Sequence, residues 1–205
     1  MDASWSAVDA FFTFAMWAVM MIGMMAPSAY PMLMLFAGAR AGRGAHGVSL
    51  ATLAFGLGYI AVWTGFSVGA AVAQYALHQA AMMSAEMASS SVRLNGAILI
   101  AAGVYQLTPW KSRCLTHCRS PLGFLMTNWR DGTAGGFQMG FRHGTYCLGC
   151  CWALMCVLFV VGVMNLIWVG ALTAFVLMEK IGPAGVIVAR VTGAAMVILG
   201  IMTIA

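Results

Sequence analysis

Five long stretches of the chain carry no Asp, Glu, Lys or Arg: 10–39, 44–85, 94–110, 143–178 and 191–205. A helix rises about 1.5 Å per residue and a bilayer core is about 30 Å thick, so roughly 20 apolar residues make one crossing. The pattern predicts a first helix over about 10–36, a second over about 48–77 and a third over about 93–110. The stretch 143–178 is too long for one crossing. Gly162-Val163-Met164-Asn165 divides it into helices over about 143–162 and 164–179, with a re-entrant segment as the alternative. Glu179-Lys180 with Gly182-Pro183 makes a turn, and a sixth helix covers about 185–204. Pro27 and Pro31 should kink or end the first helix. The expected fold is all-α: one integral membrane domain over 1–205, a polytopic bundle of about six transmembrane helices.

Composition narrows the class. Only 7% of the residues are charged and 62% are apolar, against roughly 25% charged in a soluble domain. So few charges could not cover a soluble globule, which excludes a soluble enzyme, a nucleic-acid-binding domain and a disordered chain. The lipid bilayer is the expected surrounding. With six spans, loops one, three and five share a side. They hold Arg40, Arg43, Lys111, Arg113, Arg119, Arg130, Arg142 and Lys180, and Arg190 can snorkel to the same side. Only Arg93 lies opposite. The positive-inside rule then puts these loops in the cytoplasm and both termini outside. No basic segment precedes the first apolar run, so no cleaved signal peptide is expected. Asp2 and Glu86 fall outside the spans, and Asp9 and Glu179 at span ends. Mid-membrane carboxylates mark most proton relays and cation-coupled carriers, and hard metals need oxygen ligands. Both classes are disfavoured. No P-loop pattern is present, so the chain does not power its own transport with ATP.

Sulfur is the remaining signal, with 18 Met and 6 Cys. On the first helix Met-x-x-x-Met recurs at Met16/Met20, Met20/Met24 and Met21/Met25. Residues four apart share a helix face, so the thioethers form a ladder. Thioether sulfur is soft and suits Cu(I), although Met also fills irregular helix interfaces. All six cysteines fall between 114 and 156. His143, Cys147, Cys151 and Met155 repeat every four residues and make a stripe, bordered by Cys150. Metal or redox chemistry fits this group better than packing alone, whereas Cys156 reads as structural. Cys114, His117 and Cys118 in the third loop could hold tetrahedral zinc with one ligand from elsewhere. Cys147 and Cys150 have C-x-x-C spacing, as in thiol oxidoreductases, but inside a helix without the thioredoxin context.

Three segments carry a resemblance. They are Met20-Met21-Ile22-Gly23-Met24-Met25-Ala26-Pro27; Tyr105-Gln106-Leu107-Thr108-Pro109-Trp110-Lys111 with Cys114 to Arg119 and Pro121; and His143 to Trp152 ending at Met164-Asn165. Together they resemble a bacterial family of predicted metal-binding integral membrane proteins, a domain of unknown function in which some members carry a copper-chaperone label. The resemblance covers nearly the whole chain. It implies metal binding, copper foremost, a bacterial inner membrane, and the quoted Cys and His as ligands. Short tails leave nothing else expected to be appended.

The expectation is therefore a soft-metal-binding membrane protein, not an enzyme, that handles or delivers Cu(I), with zinc as the alternative metal. Its ligands would be Cys147, Cys150 and Cys151, flanked by His143 and Met155. The runner-up readings are a membrane thiol–disulfide oxidoreductase and an assembly subunit for a cuproenzyme. A copper-binding protein or cuproenzyme is the expected partner. At about 1.5 Å per residue, Cys147, Cys151 and Met155 rise roughly 6, 12 and 18 Å above His143. If the first and fourth helices touch, Met16, Met20 and Met24, the thiols, His143 and the loop of Cys114, His117 and Cys118 make a graded path for Cu(I).

Overall fold

The computed structural model describes residues 6–44, 46–80 and 89–205. Asp2 and Glu86 lie outside the described residues. The described chain is an all-α bundle. Its helices are α1 (Ala7–Gly42), α2 (Val48–Gln79), α3 (Val92–Leu107), α4 (Pro109–Arg119), α5 (Pro121–Asn128), α6 (Gly132–Cys156), α7 (Leu158–Val161), α8 (Leu166–Ile181) and α9 (Gly185–Ile204). By length and composition, α1, α2, the stretch Gly132–Val161 and α9 are able to cross a membrane. α3 and α8 have 16 residues each, about 24 Å of helix at 1.5 Å per residue.

Local chemistry sets most of the boundaries. Ser6 and Asp9 form a reciprocal capping box that starts α1. Thr108 precedes a proline, which disfavours helical backbone there. α3 therefore stops at Leu107, and α4 begins with Pro109 in its first turn, capped by the Thr108 hydroxyl. Gly162, at φ 92°, turns the chain after α7. The Asn165 side chain then accepts from the amides of Ile167 and Trp168 to open α8.

Four expectations are corrected. α1 runs through Pro27 and Pro31 to Gly42, so the prolines do not end it. Buried Met21, Met24 and Met25 before the prolines, and Ala29, Met32 and Phe36 after or between them, hold both halves against the bundle, which outweighs the lost backbone hydrogen bonds. The third helix ends before residue 110, for the reason just given. The fourth helix starts at Gly132 rather than 143. Polar residues mark water, not the end of a helix, and Gln138 accepts from Arg130 Nη1 at 2.7 Å while Arg142 is exposed. The segment of Cys114, His117 and Cys118 is helical, not a loop.

Glycine sets the closest helix contacts. A Cβ at Gly136 would stand 2.6 Å from the Ala51 carbonyl oxygen, and one at Gly140 would strike the Phe55 carbonyl. α6 thus lies directly on the backbone of α2. α3 and α9 meet similarly at Gly103 and Gly193. α2 also packs on α1, where Trp17 Nε1 donates to Gln74 Oε1 at 2.6 Å in the interior. The main core joins Trp17, Met21, Met24 and Met25 of α1 with Tyr59 and Trp63 of α2 and the thiols of α6. A second cluster packs Met32 and Phe36 on Phe55, Phe124 and Met139.

Candidate metal centre

The four-residue repeat on α6 points into the bundle. His143, Cys147, Cys151 and Met155 are all buried, as is Cys150. An α-helical period of 3.6 keeps residues four apart on one face, and the glycine seam presses the adjoining face onto α2. Cys150 Sγ stands 3.2 Å from Cys151 Sγ and donates to the Cys147 carbonyl at 3.1 Å. From α4, Cys118 Sγ comes to 3.8 Å from Cys150 Sγ. Two sequence-distant cysteine groups thus meet at one buried place. All six cysteines are free thiols.

Cys147 has polar company that its neighbours lack. Tyr59 Oη lies 3.0 Å from its sulfur and also donates to the Met25 carbonyl at 3.3 Å. Lys180 Nζ lies 3.0 Å from the same sulfur and 3.0 Å from Ser28 Oγ. The centre therefore draws on α1, α2, α4, α6 and α8. His143 is wedged among Phe55, Tyr59 and Phe124, stacked on the Tyr59 ring at 5.9 Å. Its buried Nδ1 has no hydrogen-bond partner among the described residues.

A buried ion pair fixes the position of α4. Lys111 Nζ contacts the Glu179 carboxylate at 2.7 and 2.9 Å, and Gln106 donates to the same carboxylate at 3.1 Å. Arg119 donates to the carbonyls of Glu179 and Gly182, each at 2.7 Å, and so caps the end of α8. These bonds set Cys118 on α4 and Lys180 on α8 against the same thiols.

The other expected residues are distributed unevenly. Cys114 packs against Gly149, whose carbonyl accepts from the Tyr105 hydroxyl. Burial pushes the Cys114 thiol above its ordinary range, so it stays protonated near neutral pH. The Cys118 thiol is held well above its ordinary value, chiefly by the hydrogen bond it gives to Cys147. His117 is exposed; its ring stacks on Tyr146 at 4.4 Å and its Nδ1 lies 2.9 Å from the Arg113 carbonyl oxygen. Met16, Met20 and Met24 share a groove of about 410 Å³ with Val163, Met164 and the start of α8. Met24 and Cys151 belong to one buried cluster. Met155 is fully enclosed in it.

Lys180 is the main correction. The sequence places it in a turn as a cytoplasmic charge, yet it ends α8 inside the core, 8% exposed, beside Glu179 at 1%. Lys111 is likewise buried, not solvated in a loop. The available signal was that an ionisable residue closing an apolar run is functional by default. Nothing in the sequence marked Tyr59 or Ser28.

Among the described residues, no three His, Cys, Asp or Glu side chains already surround a point able to hold a metal ion. The donor chemistry still selects a metal class. Thiols and thioethers predominate and, among the described residues, no carboxylate is hydrogen-bonded to the thiols, so the set fits a soft ion and not a hard one. No curated protein and no solved structure gives a significant match. Residues 14–203 match the family model described as PpoB2, copper chaperone. A match over nearly the whole chain makes this protein a member of that copper chaperone family.

Proposed function

We propose that the protein binds Cu(I) at the α6 thiols and passes it on, as a handler of copper and not as an enzyme. The observation that carries this reading is the meeting of three sulfurs at Cys150, whose Sγ stands 3.8 Å from Cys118 Sγ and 3.2 Å from Cys151 Sγ. Cu(I) accepts as few as two or three soft ligands, so small sulfur movements complete a site. Zn²⁺, which favours four ligands in a tetrahedron, is the alternative metal. Cys147, Cys150, Cys151 and Cys118 are the proposed thiols from which the two or three sulfur ligands come. His143 and Met155 flank them on the same stripe.

The membrane arrangement follows the charge pattern: six crossings in a bacterial inner membrane, both termini outside, and α4 on the cytoplasmic side. Met16, Met20 and Met24 then line the outer end of the path along α1, and Cys114 and His117 lie at its inner mouth. The receiving partner would be a copper-binding protein or a cuproenzyme. The runner-up thiol oxidoreductase forecasts a reversible Cys147–Cys150 disulfide instead. In this geometry Cys147 is engaged by Tyr59 and Lys180, and Cys150 by Cys118 and Cys151.

Competition with a Cu(I) chelator under reducing conditions tests the proposal. Purified protein should retain Cu(I) in preference to Zn²⁺, and Cys147→Ser with Cys151→Ser should abolish retention. Unchanged copper stoichiometry in that double variant would overturn the assignment. Converting Met16, Met20 and Met24 together to Leu should leave binding intact and slow transfer.

A further inference from the structure

A cavity of about 210 Å³ opens beside the thiols, between α1, α4, α6 and α8. Ser28, Cys118, Arg119, His143 and Lys180 supply its polar wall, and Ile181 stands on its rim. Among the described residues, no Asp or Glu lines it. The carboxylate of Glu179, next to Lys180 in the chain, is bound to Lys111 and Gln106. The Arg119 guanidinium is permanently charged, and Lys180 adds a second cation. His143 brings a buried Nδ1 with no partner among the described residues. Cys118, the thiol that reaches Cys150, is exposed to the cavity.

Such a wall repels a bare or cationic copper ion. It attracts copper that arrives with a net negative charge, as Cu(I) does when two thiolates hold it. We propose that this cavity is the docking site for an anionic Cu(I) bis-thiolate complex of a low-molecular-weight thiol, and that its charge selects this form over cationic Cu(I). The inference rests on the copper reading above and adds the chemical form in which copper is accepted.

The exchange balances without redox chemistry. Two copper–sulfur bonds to the carrier break, and two form to protein sulfur, first at Cys118 and then at one of the α6 thiols. Each protein thiol gives its proton to a departing carrier sulfur. The single negative charge of the complex passes from carrier to protein, and copper remains Cu(I).

Ile181 makes a clean probe because it is 64% exposed, lies on the rim and touches none of the thiols' hydrogen bonds. Loading rates of the full-length protein in detergent would be compared for two sources: Cu(I) bound by glutathione, and Cu(I) as its acetonitrile cation. Ile181→Glu should slow loading from the glutathione complex by roughly tenfold, leave the acetonitrile source unslowed, and lose its effect at high salt. Ile181→Lys should speed the glutathione source. Equal loading of wild type and Ile181→Glu from the glutathione complex overturns the docking site, as does an equal change from both sources. If the wild type loads from neither source, the copper reading itself fails.

Discussion

The Lys180 ammonium lies 3.0 Å from the Cys147 sulfur, a contact between the last turn of α8 and the middle of α6. It does more than pack. Two thiolates and one Cu(I) make a unit of charge −1 in a dry interior, where an uncompensated charge is costly. Lys180 supplies the compensating charge.

Lys180→Met should therefore weaken Cu(I) retention while the thiols remain. Breaking a buried charge pair costs about 3 kcal/mol at the low end, which is roughly a hundredfold in Kd. Lys180→Arg should recover part of the loss. Chelator competition reads the effect, and unchanged retention in Lys180→Met would remove Lys180 from the site.

The Lys111–Glu179 pair, at 2.7 Å and 1% exposure on each side, supports the centre from behind. Lys111→Met leaves the Glu179 carboxylate buried and unpaired, and should cost about 3–5 kcal/mol of stability. Adding Glu179→Leu should restore most of it, since an apolar replacement of a whole buried pair is often neutral. Thermal unfolding of the two single variants and the double variant in detergent measures the coupling. Additive losses would show that the pair does not act as a unit.

The α2–α6 seam makes a third forecast. Gly140→Leu must displace the Phe55 backbone and should destabilise the protein by about 1–3 kcal/mol or more. Gly170 in α8 meets nothing within 4 Å. Gly170→Ala should be neutral or stabilise by up to about 1 kcal/mol from helix propensity. Thermal unfolding compares them, and equal tolerance at both positions would contradict the seam.

Charge-free runs made α2 and α9 legible in the sequence, because water and lipid separate charged from apolar residues over those lengths. The same rule failed at α6. Its first eleven residues carry Gln138 and Arg142 on an exposed side, while Gly136, Gly140 and Gly144 hold the other side to α2. The buried stripe of His143, Cys147, Cys151 and Met155 was legible because helical period alone groups it. The approach of Cys118 to Cys150 was not, since 32 positions separate them and only the docking of α4 on α6 and α8 joins them. Lys180 was misread because a charge beside Gly182-Pro183 looks like a turn, and only its tertiary partners reveal burial.

Copper bound by sulfur from α6 is the central claim, and X-ray absorption of the Cu(I)-loaded protein tests it most directly. A first shell of two or three sulfur atoms is predicted, and the copper signal should vanish when Cys147, Cys150 and Cys151 are changed together to Ser. A shell of nitrogen and oxygen, or a sulfur shell that persists in the triple variant, would contradict the account.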